Sequence, residues 1–129
     1  MAITLGMKGV YSVTVAPEHT AHAQGNPGVY VLSTPVLTLF CEMAAYEAIY
    51  QHFAPDQSSV GTHNDIWHLA ATPVGETVTI EAELVEIDRR RLKFALTGRD
   101  ERNQIVRGSH ERFLVNLPDF LAKLPKPKA

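Results

Sequence analysis

The chain has 129 residues, of which 45% are hydrophobic, and this size suits one domain with one apolar core. Its 12 Lys and Arg residues against 14 Asp and Glu residues give a net charge of −2, which excludes a general attraction to nucleic acid or to an anionic membrane. The single cysteine, Cys41, excludes an intrachain disulfide and a thiolate metal cluster within one subunit. Residues 1–10 contain no signal-like apolar run, and no later stretch is apolar for long enough to cross a membrane. We therefore expect a soluble, cytoplasmic protein without nucleic-acid or membrane partners.

The first third of the chain predicts one strand and one long loop. Apolar residues alternate with polar ones over residues 11–15, which is the period of a half-buried strand, and Pro17 ends the run. From Glu18 to Val29 the chain is polar and interrupted by glycine and proline, as is typical of a loop. Loops of this length are often functional, so this segment is a candidate lid.

The helix predicted next is apolar nearly all round. Ser33 or Thr34, followed by Pro35, is typical of a helix N-terminus, and helix-forming residues continue to about Phe53. Apart from two glutamates, no charge interrupts the segment 36–49. A helix without a wide polar face is one that other structure encloses.

Four strands are predicted in the rest of the chain. They cover residues 60–70, 78–87, 92–96 and 104–115. The apolar phase shifts after Leu84, which predicts a β-bulge there, and Asp88–Arg91 is expected to form a hairpin loop. The order of one strand, an enclosed helix and four strands predicts an α+β fold in which an antiparallel sheet wraps around one long helix. We expect a single domain over residues 1–129, with its core at about 7–124 and a loose tail at 125–129.

Glu42 and His68 stand out for chemistry on physical grounds. A carboxylate in an enclosed helix loses hydration unless something compensates it, so Glu42 is either a functional group or part of a buried structural pair. His68 lies in the polar strand, on the same nominal face as Thr62, Asn64 and Ile66. It is either a satisfied core histidine or a general base or acid that titrates near neutrality.

Four short runs of sequence, together with Glu42, match the motifs of a known family. They are Val31–Thr34 leading to Glu42, Val60–Thr62 with His68–Gly75, and Gly108–Arg112. Together they resemble the fluoroacetyl-CoA thioesterase family of hotdog-fold enzymes, from about residue 7 to residue 124. The resemblance implies a hotdog fold, hydrolysis of a short acyl-CoA thioester without a cofactor or metal, and an obligate homodimer.

The resemblance also implies roles for individual residues. In that family the matching threonine, glutamate and histidine form the catalytic set, which gives these roles to Thr34, Glu42 and His68. The same match makes Gly61 and Arg112 active-site neighbours that contact substrate. Which of Thr34 and Glu42 makes the first attack stays open.

Some features leave alternatives. The family's acidic, phenylalanine-containing lid is replaced here by Gly25–Gly28, so specificity for a fluorinated acyl group is not expected. A non-catalytic acyl-CoA-binding hotdog module is the competing function. Thr34 and Glu42 are ~12 Å apart along a helix, so either His68 stands between them or a partner subunit supplies one member. The arginine run Arg89–Arg91 is either a coenzyme A phosphate contact or a solvated hairpin.

Overall fold

The protein was analysed as a computed structural model that describes residues 3–128. Met1, Ala2 and Ala129, the last of which belongs to the predicted tail, lie outside the described residues. Five antiparallel strands form one curled sheet around a long helix, α1 (Thr34–Ile49). The strands are β1 (Lys8–Thr14), β2 (Gln57–His68), β3 (Thr77–Asp88), β4 (Arg91–Arg99) and β5 (Gln104–Asn116), in the spatial order β1-β3-β4-β5-β2. The predicted fold class is confirmed, and β2 lies at one edge of the sheet.

Helix α1 is enclosed as its sequence predicts. It packs mainly against β1 and β3, and its Leu37 and Ile49 side chains are fully buried. The closest approach is to Gly9 of β1, where a Cβ atom would collide with the backbone of Ala44 and Ala48. Glycine is therefore required at this position by close packing between strand and helix.

The two ends of α1 are defined by local chemistry. Ser33 is the N-cap, since its Oγ accepts a hydrogen bond from the Val36 amide at 3.2 Å, and Pro35 occupies the first turn. The helix ends at Ile49, and a 3₁₀ turn over Tyr50–His52 continues it close to the predicted end.

The strand predictions are confirmed, with one short element added. The register of β3 and β4 shifts between Leu84 and Glu86, where the bulge was predicted. A further helix, α2 (Leu117–Ala122), follows β5 and was not predicted. Its signal is Asn116, whose Oδ1 accepts from the Asp119 amide at 3.1 Å as an N-cap does. Within residues 3–128, neither helix has the length and apolarity needed to span a bilayer.

The predicted lid segment is an ordered loop. A 3₁₀ turn, Pro17–His19, forms its start, and the Thr20 side chain that follows is buried. The His22 ring stacks on Tyr30 at 4.4 Å, and its Nδ1 accepts a hydrogen bond from the Gly28 amide at 3.0 Å. The loop therefore holds its shape through its own hydrogen bonds.

Candidate active site

Thr34 and His68 meet where α1 begins and β2 ends. The Thr34 Oγ1 atom lies 2.8 Å from His68 Nδ1, which is hydrogen-bond distance. Because Ser33 caps the helix, the Thr34 hydroxyl is not used as the cap. The competition between capping and chemistry that the sequence left open is therefore absent, and the hydroxyl is available to the imidazole.

Burial tunes His68 toward its neutral form. It lowers the pKa of His68, while a polar contact with the Ala70 backbone opposes the shift. Among the described residues, His68 Nε2 is buried and has no hydrogen-bond partner. A neutral imidazole beside a hydroxyl can accept its proton.

An open pocket of about 360 Å³ lies at this pair. Thr34 and His68 line it together with the small or apolar residues Val31, Leu69, Ala70 and Ala71. Such a lining accepts a small apolar group and adds no charge of its own.

Glu42 lies in a second cluster, further along α1. Its Oε2 accepts a hydrogen bond from Asn64 Nδ2 at 3.0 Å, and its Oε1 lies 3.9 Å from the Arg112 guanidinium. A Cβ atom on Gly61 would lie 3.0 Å from the same Oε1. The side chain of Glu42 is 33% exposed, so the carboxylate is compensated on one side and open on the other.

Arg112 is a buried cation held by neutral partners. Its Nε donates to Ser59 Oγ at 2.8 Å, and its guanidinium lies 5.7 Å from the Tyr46 ring. Burial lowers the pKa of Arg112 and Glu42 opposes this, but an arginine stays protonated in such surroundings. The charge therefore faces Glu42 from a fixed position.

His110, which is fully buried, helps to fix that position. Its Nδ1 lies 2.9 Å from the His63 carbonyl oxygen, and its Nε2 lies 3.3 Å from a terminal nitrogen of Arg112. A carbonyl only accepts and a guanidinium only donates, so Nδ1 carries the hydrogen and Nε2 accepts. Burial lowers the pKa of His110, in agreement with this neutral tautomer.

The two clusters are separate in one chain. Thr34 and Glu42 are eight residues apart, which is ~12 Å along a helix, and His68 and Asn64 are four apart, which is ~13 Å along a strand. The helix and the strand run in opposite directions. The contact Thr34–His68 therefore lies at one end of this helix–strand pair, and the contact Glu42–Asn64 lies ~12–13 Å further along it. Between residues 3 and 128, no hydrogen bond or ion pair links Glu42 to Thr34 or His68.

A bulge in β2 alters the predicted face of that strand. The register with β5 shifts between Gly61 and His63, so Gly61 and Asn64 both face Glu42. Thr62 was predicted to share a face with His68, and this was wrong. Its hydroxyl instead donates to the Glu111 carbonyl.

The five predicted site residues thus fall into two groups, and three further residues belong beside them. The predicted residues are Thr34 with His68, and Glu42 with Gly61 and Arg112. No role was predicted from the sequence for Asn64, His110 or Ser59. Strand alternation could have found two of them, since His110 lies two residues from Arg112 and Asn64 four from His68.

Comparisons with known proteins identify the family. The family model for fluoroacetyl-CoA-specific thioesterases (FlK) matches residues 15–117. A fluoroacetyl-CoA thioesterase of Streptantibioticus cattleyicolor is 36% identical over 94 residues, which is 73% of this chain and 68% of the relative. A solved structure of the fluoroacetyl-CoA thioesterase FlK has a TM-score of 0.86 and 30% identity, covering 97% of this chain and 100% of that one. A thioesterase superfamily member from Thermus thermophilus, with a TM-score of 0.88 and 22% identity over 95% and 91% of the chains, shows the fold alone. The resemblance noted in the sequence is confirmed, and the chain belongs to the fluoroacetyl-CoA-specific thioesterase family, a family of enzymes that hydrolyse coenzyme A thioesters.

Proposed function

We propose that this protein hydrolyses a short-chain acyl-CoA thioester to the free acid and coenzyme A, using Thr34, His68 and Glu42. The observation that carries the proposal is the 2.8 Å contact between the Thr34 hydroxyl and His68 Nδ1. A hydroxyl hydrogen-bonded to a neutral imidazole is the arrangement that activates an oxygen nucleophile. The open pocket beside the pair gives an acyl group access to that oxygen.

In the proposed reaction, His68 transfers protons in both directions. As the Thr34 oxygen, or a water molecule that Thr34 positions, bonds to the thioester carbonyl carbon, His68 takes the proton from that oxygen. The carbon–sulfur bond then breaks, and the proton passes from His68 to the departing thiolate of coenzyme A. If Thr34 forms an acyl ester, a water molecule cleaves it through the same transfers and releases the acid.

Gly61 and Arg112 support the proposed role of Glu42. The absence of a side chain at Gly61 leaves space beside Glu42 Oε1 for a substrate atom. A backbone amide in such a gap can stabilise the developing oxyanion, an interaction whose loss typically costs ~100-fold or more. Arg112, held by Ser59 and His110, places a positive charge next to the same space.

The exposed edge of β2 supports a homodimer with shared active sites. The edge strand has its exposed stretch at residues 61–65, and an unpaired edge of this kind is normally covered. Antiparallel pairing of two β2 strands across a twofold axis would place the C-terminal half of one strand beside the N-terminal half of the other. Thr34 and His68 of one subunit would then approach the partner subunit's Glu42, which their own Glu42 does not do.

Relatives with bound ligands support the substrate class. Among solved FlK structures that this chain resembles, one variant is in complex with acetyl-CoA and another with fluoroacetate and CoA. In this chain the family's phenylalanine-containing lid is replaced by Gly25–Gly28. We therefore propose a short, non-fluorinated acyl group, with the ordered loop at 18–29 as its lid.

The test is release of free thiol from a panel of acyl-CoA thioesters by purified protein. Glu42→Gln and His68→Ala should each lower kcat by ~100-fold or more with the fold retained, because each removes a charge or a proton acceptor and neither residue belongs to the hydrophobic core. Glu47→Gln and His52→Ala are matched controls of the same residue types, since both side chains are exposed and lie outside the β2 edge. Near-normal turnover of either first variant would remove that residue from the site. Binding of acyl-CoA without thiol release would instead indicate a non-catalytic module.

A further inference from the structure

Asn64 makes one side-chain contact of note, and it is with Glu42. Its Nδ2 donates to Glu42 Oε2 at 3.0 Å, while Oε1 is left facing Gly61 and, at 3.9 Å, Arg112. The β2 bulge makes this contact possible, because it brings Gly61 and Asn64 to the same side of the strand. The two carboxylate oxygens therefore have different surroundings: Oε2 is held by the Asn64 amide, and Oε1 faces Gly61 and Arg112.

We propose that Asn64 is a positioning residue for the reaction, which fixes the rotation of the Glu42 carboxylate and directs Oε1 toward the substrate. The inference rests on the proposed function. Glu42 is a third exposed, and its distance from Arg112 is longer than a hydrogen bond, so the ion pair alone does not fix its orientation. The Asn64 amide supplies the missing directional contact.

A neutral amide suits this role better than a second cation would. It orients the carboxylate by a directional hydrogen bond but leaves its negative charge in place. The charged and titratable groups that face Glu42 are Arg112 and His110 of β5 and, on its own helix, Cys41. Of these, only Arg112 carries a positive charge, and it is held by Ser59. Asn64 thus orients the carboxylate without placing a second positive charge beside it.

Two substitutions separate orientation from bulk. Asn64→Leu keeps the branched shape of the side chain but removes the donor, and should lower kcat by about 10-fold or more with KM nearly unchanged, since a hydrogen bond to a carboxylate is lost. Asn64→Asp keeps the shape but places a second carboxylate against Glu42. It should lower kcat further and move the acidic limb of the kcat/KM profile to higher pH, because like charges at this distance favour protonation of one of them. A role in packing alone would not move the pH limb.

Controls keep the inference falsifiable. Glu81→Gln changes an exposed residue of β3, away from the β2 edge and the candidate site, and should leave kcat unchanged. Circular dichroism and light scattering show whether each variant folds and assembles like the wild type, and Asn64→Ala replaces the leucine variant if that one does not fold. Unchanged kcat in the donor-less variant, or an unmoved pH limb in Asn64→Asp, would overturn the role of Asn64 alone. Wild-type protein that releases no thiol from any acyl-CoA would overturn the proposed function, and this inference with it.

Discussion

A purified heterodimer tests whether Glu42 acts on the Thr34–His68 pair of its own chain or on that of its partner. One chain carries His68→Ala and the other Glu42→Gln, so each homodimer is expected to be inactive. If sites are shared, one site of the heterodimer has lost both groups and the other has kept both. The heterodimer should then have about half of the wild-type activity per dimer. If each site is built from one chain, both sites are damaged and no activity returns.

The spacing within the chain is the reason to expect the shared arrangement. Along the helix, ~12 Å separates Thr34 from Glu42, too far for a direct hydrogen bond. In contrast, Thr34 and His68 touch within one chain at 2.8 Å. A heterodimer of Thr34→Ala with His68→Ala should therefore stay inactive, because every site lacks one member of that pair.

The assay needs two tags for purification of the mixed dimer and one rate measurement. Chains are coexpressed with different affinity tags, and the dimer that carries both tags is isolated before thiol release is measured.

A second heterodimer carries His68→Ala and Glu42→Gln on one chain, and its partner chain is wild type. The expectation is then reversed: shared sites give no activity, and single-chain sites give about half of the wild-type activity. Activity in the second heterodimer, with none in the first, would refute the shared site. A fully active monomer by light scattering would refute the dimer as well.

Two further predictions concern the protonation of the site and the packing of the helix. Burial lowers the pKa of His68, and His68 must be neutral to act as a base. The acidic limb of the kcat/KM profile should therefore lie below the usual histidine pKa of 6.5, with activity lost as the pH falls through it. A limb above 6.5 would contradict the role of His68 as base. Gly9→Ala should lower the free energy of unfolding by about 1–3 kcal/mol or more, since the added methyl group collides with the backbone of Ala44 and Ala48. Thermal denaturation measures this effect, and Lys8→Ala, at the exposed neighbouring position, should leave the midpoint unchanged.

The sequence predicts the fold well because the fold follows from periodic patterns. Alternation gave the strands, and the apolar phase shift at Leu84 gave the bulge that the register confirms. The second bulge, at Thr62, was not predicted because β2 is polar on both faces and its phase cannot be read from hydrophobicity. The polar residues on both faces of β2 prevented the prediction of the bulge, and they are also typical of an exposed edge strand.

The residues of the candidate site could be proposed from the sequence, but their geometry could not. Thr34, Glu42 and His68 were selected because they match positions in the family's motifs. The motifs do not show which of these side chains are in contact. Only the structure shows that Ser33 takes the capping role and releases the Thr34 hydroxyl to His68. The orientation of Glu42 likewise depends on Asn64, whose reach to the helix follows from the unpredicted bulge.

The buried cation explains why the Glu42 cluster is rigid on one side. Leaving a buried charge without partners costs free energy, so any movement of the groups that contact Arg112 is unfavourable. Ser59 accepts from it through both its hydroxyl and its carbonyl, and His110 is locked into a single tautomer between Arg112 and the His63 carbonyl. These contacts join β2 to β5 directly behind Gly61. The positive charge therefore cannot follow Glu42 if the carboxylate turns, and the hydrogen bond from Asn64 is what keeps the carboxylate turned toward it.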